Sequence, residues 1–224
     1  MQHLPLSLYL WSIHIYLAEI ILCGICSIVF YKKGTLAEKT LVPFFILLMG
    51  IESYCYYLYL HNISRDTVYN LWFPVEFGFY CFFICSYLEN AFRKKLLQII
   101  TILYVLLVAL YYSTICNLAI FSSKAFIVGV LVLVAVLLNR LYEMLNAAVM
   151  EHPLKNPLFW FIFGLLLVNL GSFFILGSTN YLNITNKAFL SAIGYLDILF
   201  TDIEYFCFLL YFYCKWKYQK SVTL

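Results

Sequence analysis

The stretch that decides the fold is GYLDILFTDIEYFCFLLYFY, residues 194–213. It holds three acidic side chains, Asp197, Asp202 and Glu204, among residues that are otherwise almost all apolar or aromatic. A helix of about 20 mostly apolar residues is long enough to cross about 30 Å of hydrocarbon. The stretch therefore predicts a transmembrane helix that carries acids at membrane depth, and the function depends on what those acids do.

The composition of the whole chain agrees with a membrane protein. Of the 224 residues, 65% are hydrophobic and 11% are charged, whereas a soluble domain is about half apolar and a quarter charged. We expect the lipid bilayer as the main partner and no nucleic-acid partner. The length also leaves no room for a separate soluble domain of about 50 residues or more.

Seven segments have the length and apolar character of membrane spans. They cover about 8–31, 41–61, 69–88, 96–116, 120–141, 157–177 and 188–214. The sequence therefore predicts an all-α fold, a polytopic bundle of seven transmembrane helices that forms a single membrane domain over residues 1–224.

The basic residues predict the orientation of that bundle. Cytoplasmic loops of membrane proteins carry an excess of Lys and Arg. With the N-terminus outside and the C-terminus inside, eleven of the fourteen basic residues fall on the inner side and three on the outer side. The three outer ones are Arg65, Lys124 and Lys187.

Six acidic residues lie inside the predicted spans, and no Lys or Arg lies at a comparable depth. They are Glu19, Glu52, Glu76, Asp197, Asp202 and Glu204. A charged side chain at the centre of the bilayer costs about 2.5–3.5 kcal/mol on insertion scales. We therefore expect these side chains to face the interior of the bundle or a wet cavity.

Depth groups several of these residues into one layer. Five polar residues lie about seven to eleven residues from the outer ends of their spans, which corresponds to about 10–17 Å. They are Glu19, Glu52, Glu76, Asn169 and Asp197, and His14 lies slightly above them. The layer predicts an outward-facing pocket for a ligand or cation. Two interpretations remain open: the acids are protonated and hold helices together, or two or more of them bind a cation, a proton or an amine.

Helical phase separates the acids of the last span into two faces. Asp197 and Glu204 are seven residues apart and share one face, whereas Asp202 points about 140° away from Asp197. We expect Asp197 to belong to the pocket, Asp202 to be a structural interhelical hydrogen bonder, and Glu204 to play a structural part deeper in the membrane.

Several seven-helix chemistries lack their required residues. A retinal protein needs a lysine in mid-span, and every lysine here lies in a loop or at the end of a span. The four histidines do not form a metal-binding pattern, and there is no GxSxG motif or Gly-rich phosphate loop. We therefore assign no catalytic residue, and the sequence names neither a metal nor a cofactor.

Two segments carry a resemblance to known proteins. With the Tyr-rich last span, YNLWFPVEFGFY at 69–80 and NPLFWFIFGLLLVNLGSFF at 156–174 resemble small, uncharacterised bacterial seven-helix integral membrane proteins. The resemblance implies a place in the bacterial inner (plasma) membrane and a role associated with sensing or signalling.

Three functions follow as hypotheses. The first is a receptor-like or sensory membrane protein whose acidic pocket acts through a separate signalling effector on the cytoplasmic side. The alternative is a small proton- or cation-coupled transporter that uses the acids. The second alternative is an intramembrane enzyme that acts on a lipid or a quinone.

Overall fold

The computed structural model describes residues 6–146, 152–182 and 187–218, with side chains described over 13–146, 152–175 and 194–218. Within these ranges the chain forms helices joined by short turns and contains no β-strand. The prediction of an all-helical fold is confirmed. The tail after Tyr218, which includes Lys220, lies outside the described residues.

Eight α-helices follow one another along the described chain, with short 3-10 turns at Tyr31–Lys33 and Pro153–Lys155. They are α1 Leu6–Phe30, α2 Leu36–Lys39, α3 Leu41–Leu60, α4 Asp66–Ser86, α5 Ala91–Thr114, α6 Ser123–Asn146, α7 Pro157–Leu182 and α8 Lys187–Tyr218. The single turn α2 leads directly into α3.

Each of the seven predicted segments is a helix in the structure. Six of the helical segments in the described chain are long and apolar enough to cross a membrane, and they correspond to α1, α2 with α3, α4, α5, α6 and α7. The helix α8 is also long enough. Its acidic residues and the lysines in its last turn distinguish its composition from that of these six segments. The protein is therefore an integral membrane protein with several spanning helices, while the count of seven and the orientation stay predictions.

A side-chain cap explains where α5 begins. The Asn90 side chain accepts hydrogen bonds from the backbone N–H groups of Phe92 and Arg93, at 3.0 and 3.1 Å. This cap starts α5 at Ala91, five residues before the apolar segment predicted from residue 96, because capping satisfies N–H groups that have no partner within the helix. Hydropathy alone marks the apolar part of a helix and misses such a polar first turn.

The contacts divide the chain into two compact units. One unit comprises Met1–Val29 and Val134–Leu224, and the other comprises Phe30–Leu133. We call them the terminal unit and the central unit, respectively. The prediction of a single domain over 1–224 is not tested by this division.

In the terminal unit, α7 and α8 pack closely in antiparallel directions. The Phe161 ring stacks on the Phe208 ring at 4.7 Å between centroids, whereas Gly171, further along α7, lies against Phe200, earlier on α8. A Cβ added at Gly164 would lie 2.8 Å from the Cβ of Cys207. Small residues at such positions let two helix backbones approach closely in a membrane.

In the central unit, α4 packs against α5, and α5 meets α6. The rings of Phe77 and Tyr104 lie 4.2 Å apart, and the Tyr104 hydroxyl donates a hydrogen bond to the Ala125 carbonyl at 3.0 Å. A Cβ at Gly129 would meet this same hydroxyl. The glycine therefore provides the space in which Tyr104 crosses to α6.

A buried asparagine fastens the connection between α5 and α6 to α4. The Asn70 amide donates to the carbonyls of Leu118 and Ile120 at 3.0 and 2.8 Å and accepts from the Ser122 backbone N–H at 2.9 Å. Only 1% of Asn70 is exposed. The side chain thereby holds three backbone groups of the connection, and it supplies the acceptor for the buried Ser122 N–H.

Candidate functional site

Five of the six acids predicted to lie inside spans fall into two groups, one in each unit, and the sixth, Asp197, bonds to α7. Glu19, Asp202 and Glu204 form what we call the α1–α8 acid group in the terminal unit. Glu52 and Glu76 form the α3–α4 acid group in the central unit. Each group is built by two helices, which are the first and last in the terminal unit and two consecutive ones in the central unit.

The α1–α8 acid group contains two carboxyl groups that interact electrostatically. They belong to Glu19 on α1 and Asp202 on α8, and their like charges repel. Glu19 Oε2 and Asp202 Oδ1 are both inaccessible to solvent and accept no hydrogen bond from the described residues. A buried acceptor without a partner costs about 1–3 kcal/mol, so this pair holds unused capacity to bind a proton or a cation.

Contacts on either side of the pair set the position of α1 against α8. The Cys23 thiol donates to the Tyr205 backbone carbonyl at 3.7 Å, and the rings of Tyr16 and Tyr205 lie edge to face at 5.4 Å. Tyr205 is only 2% exposed. Because its backbone and its ring both contact α1, Tyr205 positions the neighbouring Asp202 opposite Glu19.

The third acid of this group lies deeper in the protein. Glu204 is 5% exposed and lies near the thiols of Cys23 and Cys207. Its backbone approaches Gly164 of α7. Glu204 therefore occupies a tightly packed part of the terminal unit, and its structural role stays a prediction.

Asp197 lies on the face of α8 that it shares with Glu204, and there it contacts α7. The Ser172 hydroxyl donates a hydrogen bond to Asp197 Oδ1 at 3.1 Å. Asn169, one turn before Ser172, is 7% exposed and donates to the Leu165 carbonyl of its own helix at 2.7 Å. Both of these expected pocket residues therefore hold hydrogen bonds that join or brace helices.

The structure thus differs from the expected roles of the two faces of α8. Asp197 is the acid with an interhelical hydrogen bond, whereas Asp202 has a buried oxygen without one and faces another acid. Helical phase placed Asp197 and Asp202 on different faces. It did not indicate that α7 covers the first face and α1 the second, and the neighbouring helix decides each role.

In the α3–α4 acid group, each carboxyl group accepts a hydrogen bond from a tyrosine. The Tyr69 hydroxyl donates to Glu52 Oε2 at 3.4 Å, and the Tyr80 hydroxyl donates to Glu76 Oε1 at 3.0 Å. Glu52 and Glu76 also interact electrostatically with each other. The structure therefore brings together these two expected pocket residues.

Arg65, which was predicted to lie in an outer loop, lies close to this group. The Arg65 guanidinium lies 5.4 Å from the centre of the Tyr59 ring and 5.8 Å from the centre of the Tyr69 ring. Arg65 and Tyr69 are four residues apart and therefore share a helix face. That spacing made the contact with Tyr69 predictable from the sequence. The contact with Tyr59 depends on how the chain turns between α3 and α4.

The remaining predicted pocket residues are distributed over the two units. His14 is exposed on α1, and it is five residues before Glu19, which turns its side chain about 140° away from that acid. Glu19, Asn169 and Asp197 belong to the terminal unit, whereas Glu52 and Glu76 belong to the central unit. Their convergence in one outward-facing pocket stays a prediction.

Among the described residues, no three His, Cys, Asp or Glu side chains are arranged to hold a metal ion. Comparison with protein families, curated proteins and solved structures gave no match. The resemblance to bacterial seven-helix membrane proteins accordingly stays a prediction, and the function has to be argued from the acids themselves.

Proposed function

We propose that this protein is a small proton- or cation-coupled membrane transporter in which Glu19 and Asp202 form the coupling site. One observation carries the proposal: two buried carboxyl oxygens on neighbouring helices, Glu19 Oε2 and Asp202 Oδ1, have no hydrogen-bond partner among the described residues. Acids inside membrane spans commonly mark proton relays and ion pathways.

The chemistry of a facing acid pair supports this function. Two ionised carboxylates at short range repel each other, and this repulsion is relieved when the pair takes up one proton or one cation. A protonated carboxyl group becomes an O–H donor, so it can donate to its ionised neighbour. Uptake and release by this pair would therefore alternate between a repelling state and a bonded state, and such a change can drive the movement of α1 against α8.

Asp197 provides the matched control on the same helix. Its carboxyl group accepts a hydrogen bond from Ser172, and an asparagine side chain offers an oxygen that can accept the same bond. Asp197→Asn therefore removes a charge from α8 and preserves the interhelical contact. Asp202→Asn and Glu19→Gln remove an acid from the facing pair.

The test is flux in reconstituted vesicles with an internal pH-sensitive dye, under an imposed proton gradient and in the presence of Na⁺ or K⁺. We expect ion-dependent flux from the wild type and from Asp197→Asn, and loss of flux to the level of empty vesicles from Glu19→Gln and Asp202→Asn at equal protein content. Wild-type vesicles without flux would reject transport. Full flux from both acid-pair variants would reject this pair as the coupling site.

The receptor-like function, the cytoplasmic effector, the enzyme alternative and the bacterial inner membrane stay predictions from the sequence. The flux experiment distinguishes a transporter from a receptor, since a receptor binds its ligand without net transport. If the wild type shows no flux, co-purification of the full-length protein with a cytoplasmic partner is the next measurement.

A further inference from the structure

We infer that Tyr59, Tyr69 and Glu52 form a binding site for an organic cation of the guanidinium type, and that Arg65 is its tethered occupant. The inference concerns the central unit alone and does not depend on transport by the terminal unit.

The chain path explains how the site is assembled. Tyr59 lies in the last turn of α3, and Tyr69 lies in the first turn of α4. The chain reverses between the two helices at Asn62, whose φ of 57° is in the left-handed region that asparagine adopts more readily than most residues. Arg65 immediately precedes α4. The short connection therefore places one cationic side chain beside an aromatic ring from each helix.

The geometry is that of a cation between aromatic rings. Both ring centres lie within 6 Å of the guanidinium carbon, at 5.4 and 5.8 Å. A cation over a ring at this range gains about 0.5–1 kcal/mol at an exposed site and more where water is excluded. Arginine also stacks on aromatic faces better than lysine because its guanidinium is planar and weakly hydrated.

A carboxyl group lies beside one of the two rings. The Tyr69 hydroxyl donates to Glu52 Oε2 at 3.4 Å, and the Tyr69 ring is one of the two that contact Arg65. Aromatic faces with a carboxyl group beside them are the chemistry that recognises alkylguanidinium and related organic cations.

The tether explains why a free cation would bind weakly to the native protein. A group held on a short connection competes with an effective concentration of the order of millimolar or higher. A free organic cation has to displace Arg65, and displacement would also release the connection between α3 and α4. Removal of the arginine side chain takes away the cation that contacts the two rings.

The test uses methylguanidinium as the probe and the full-length protein in detergent micelles, with sodium chloride added to equalise ionic strength. For Arg65→Ala we expect a lower melting temperature than for the wild type. We also expect saturable recovery of about 2–4 °C at millimolar methylguanidinium. The wild type and Arg93→Ala, which removes an exposed arginine at the start of α5, should show no saturable rise.

A double variant separates the site from nonspecific stabilisation. Tyr59→Leu combined with Arg65→Ala should lose the saturable recovery, since one of the two aromatic faces is gone. The inference is overturned if folded Arg65→Ala shows no saturable response, or if the double variant responds equally well. If Arg65→Ala does not fold, Arg65→Gln is tested in its place. If neither variant folds even with methylguanidinium present, Arg65 has a structural role and the inference is overturned.

Discussion

The close contact of α7 with α8 makes Gly164 the most informative position for a stability measurement. An alanine at this position would place its Cβ 2.8 Å from the Cβ of Cys207 and 3.1 Å from the Glu204 backbone oxygen. Both of these atoms are fixed to the backbone of α8, so neither can rotate away. The two helices would have to separate to accept one methyl group.

The expected magnitude follows from two opposed effects. Overpacking of a well-packed contact costs about 1–3 kcal/mol, whereas replacing glycine by alanine inside a helix gains about 0.5–1 kcal/mol. Gly78 in α4 is the matched control, since a Cβ there meets no atom within 4 Å. The free energy of unfolding of Gly164→Ala should therefore lie about 1–3 kcal/mol below that of Gly78→Ala. For a chain of this length, that difference corresponds to about 2–12 °C in melting temperature.

The assay is thermal unfolding in detergent micelles, followed by the loss of helical circular dichroism. A second substitution tests the cause, because Cys207→Gly removes the Cβ that the new methyl group would meet. In the Gly164→Ala background it should restore part of the lost stability, whereas in the wild type it should only destabilise. Equal melting temperatures for Gly164→Ala and Gly78→Ala, or simple additivity in the double variant, would refute the close-contact argument.

Two further predictions concern the central unit and the orientation. Asn70→Ala should destabilise the protein by about 1–3 kcal/mol, since it leaves the buried Ser122 backbone N–H without its acceptor, and should speed proteolysis within residues 115–122. Thr67→Val removes only the exposed hydrogen bond to Leu118, so this variant should be cleaved at nearly the wild-type rate. Equal proteolysis rates for Asn70→Ala and Thr67→Val would contradict the role of Asn70. A reporter fused after Leu224 should read as cytoplasmic, and an external signal would reject the predicted orientation.

The candidate site was predictable only in part. Depth alone predicted a layer of five residues, and the structure shows an electrostatic interaction between two of them, Glu52 and Glu76, on consecutive helices. The convergence of the whole layer stays a prediction. The pairing of Glu19 with Asp202 was not predicted, since nearly the whole chain separates these residues. Depth estimates with an uncertainty of about two to four residues per span do not select one partner for Asp202 among several helices.

By itself, the sequence determined the helical segments. An apolar stretch of about 20 residues in lipid has to satisfy its backbone hydrogen bonds internally, and a helix does so within one continuous segment. The pairing of side chains depends on which helix covers which face, and only the tertiary structure decides this. Asp197 accepts a hydrogen bond from Ser172 because α7 packs against that face of α8 through Gly164 and Gly171. Asp202 interacts with Glu19 because Tyr205 packs the opposite face of α8 against α1.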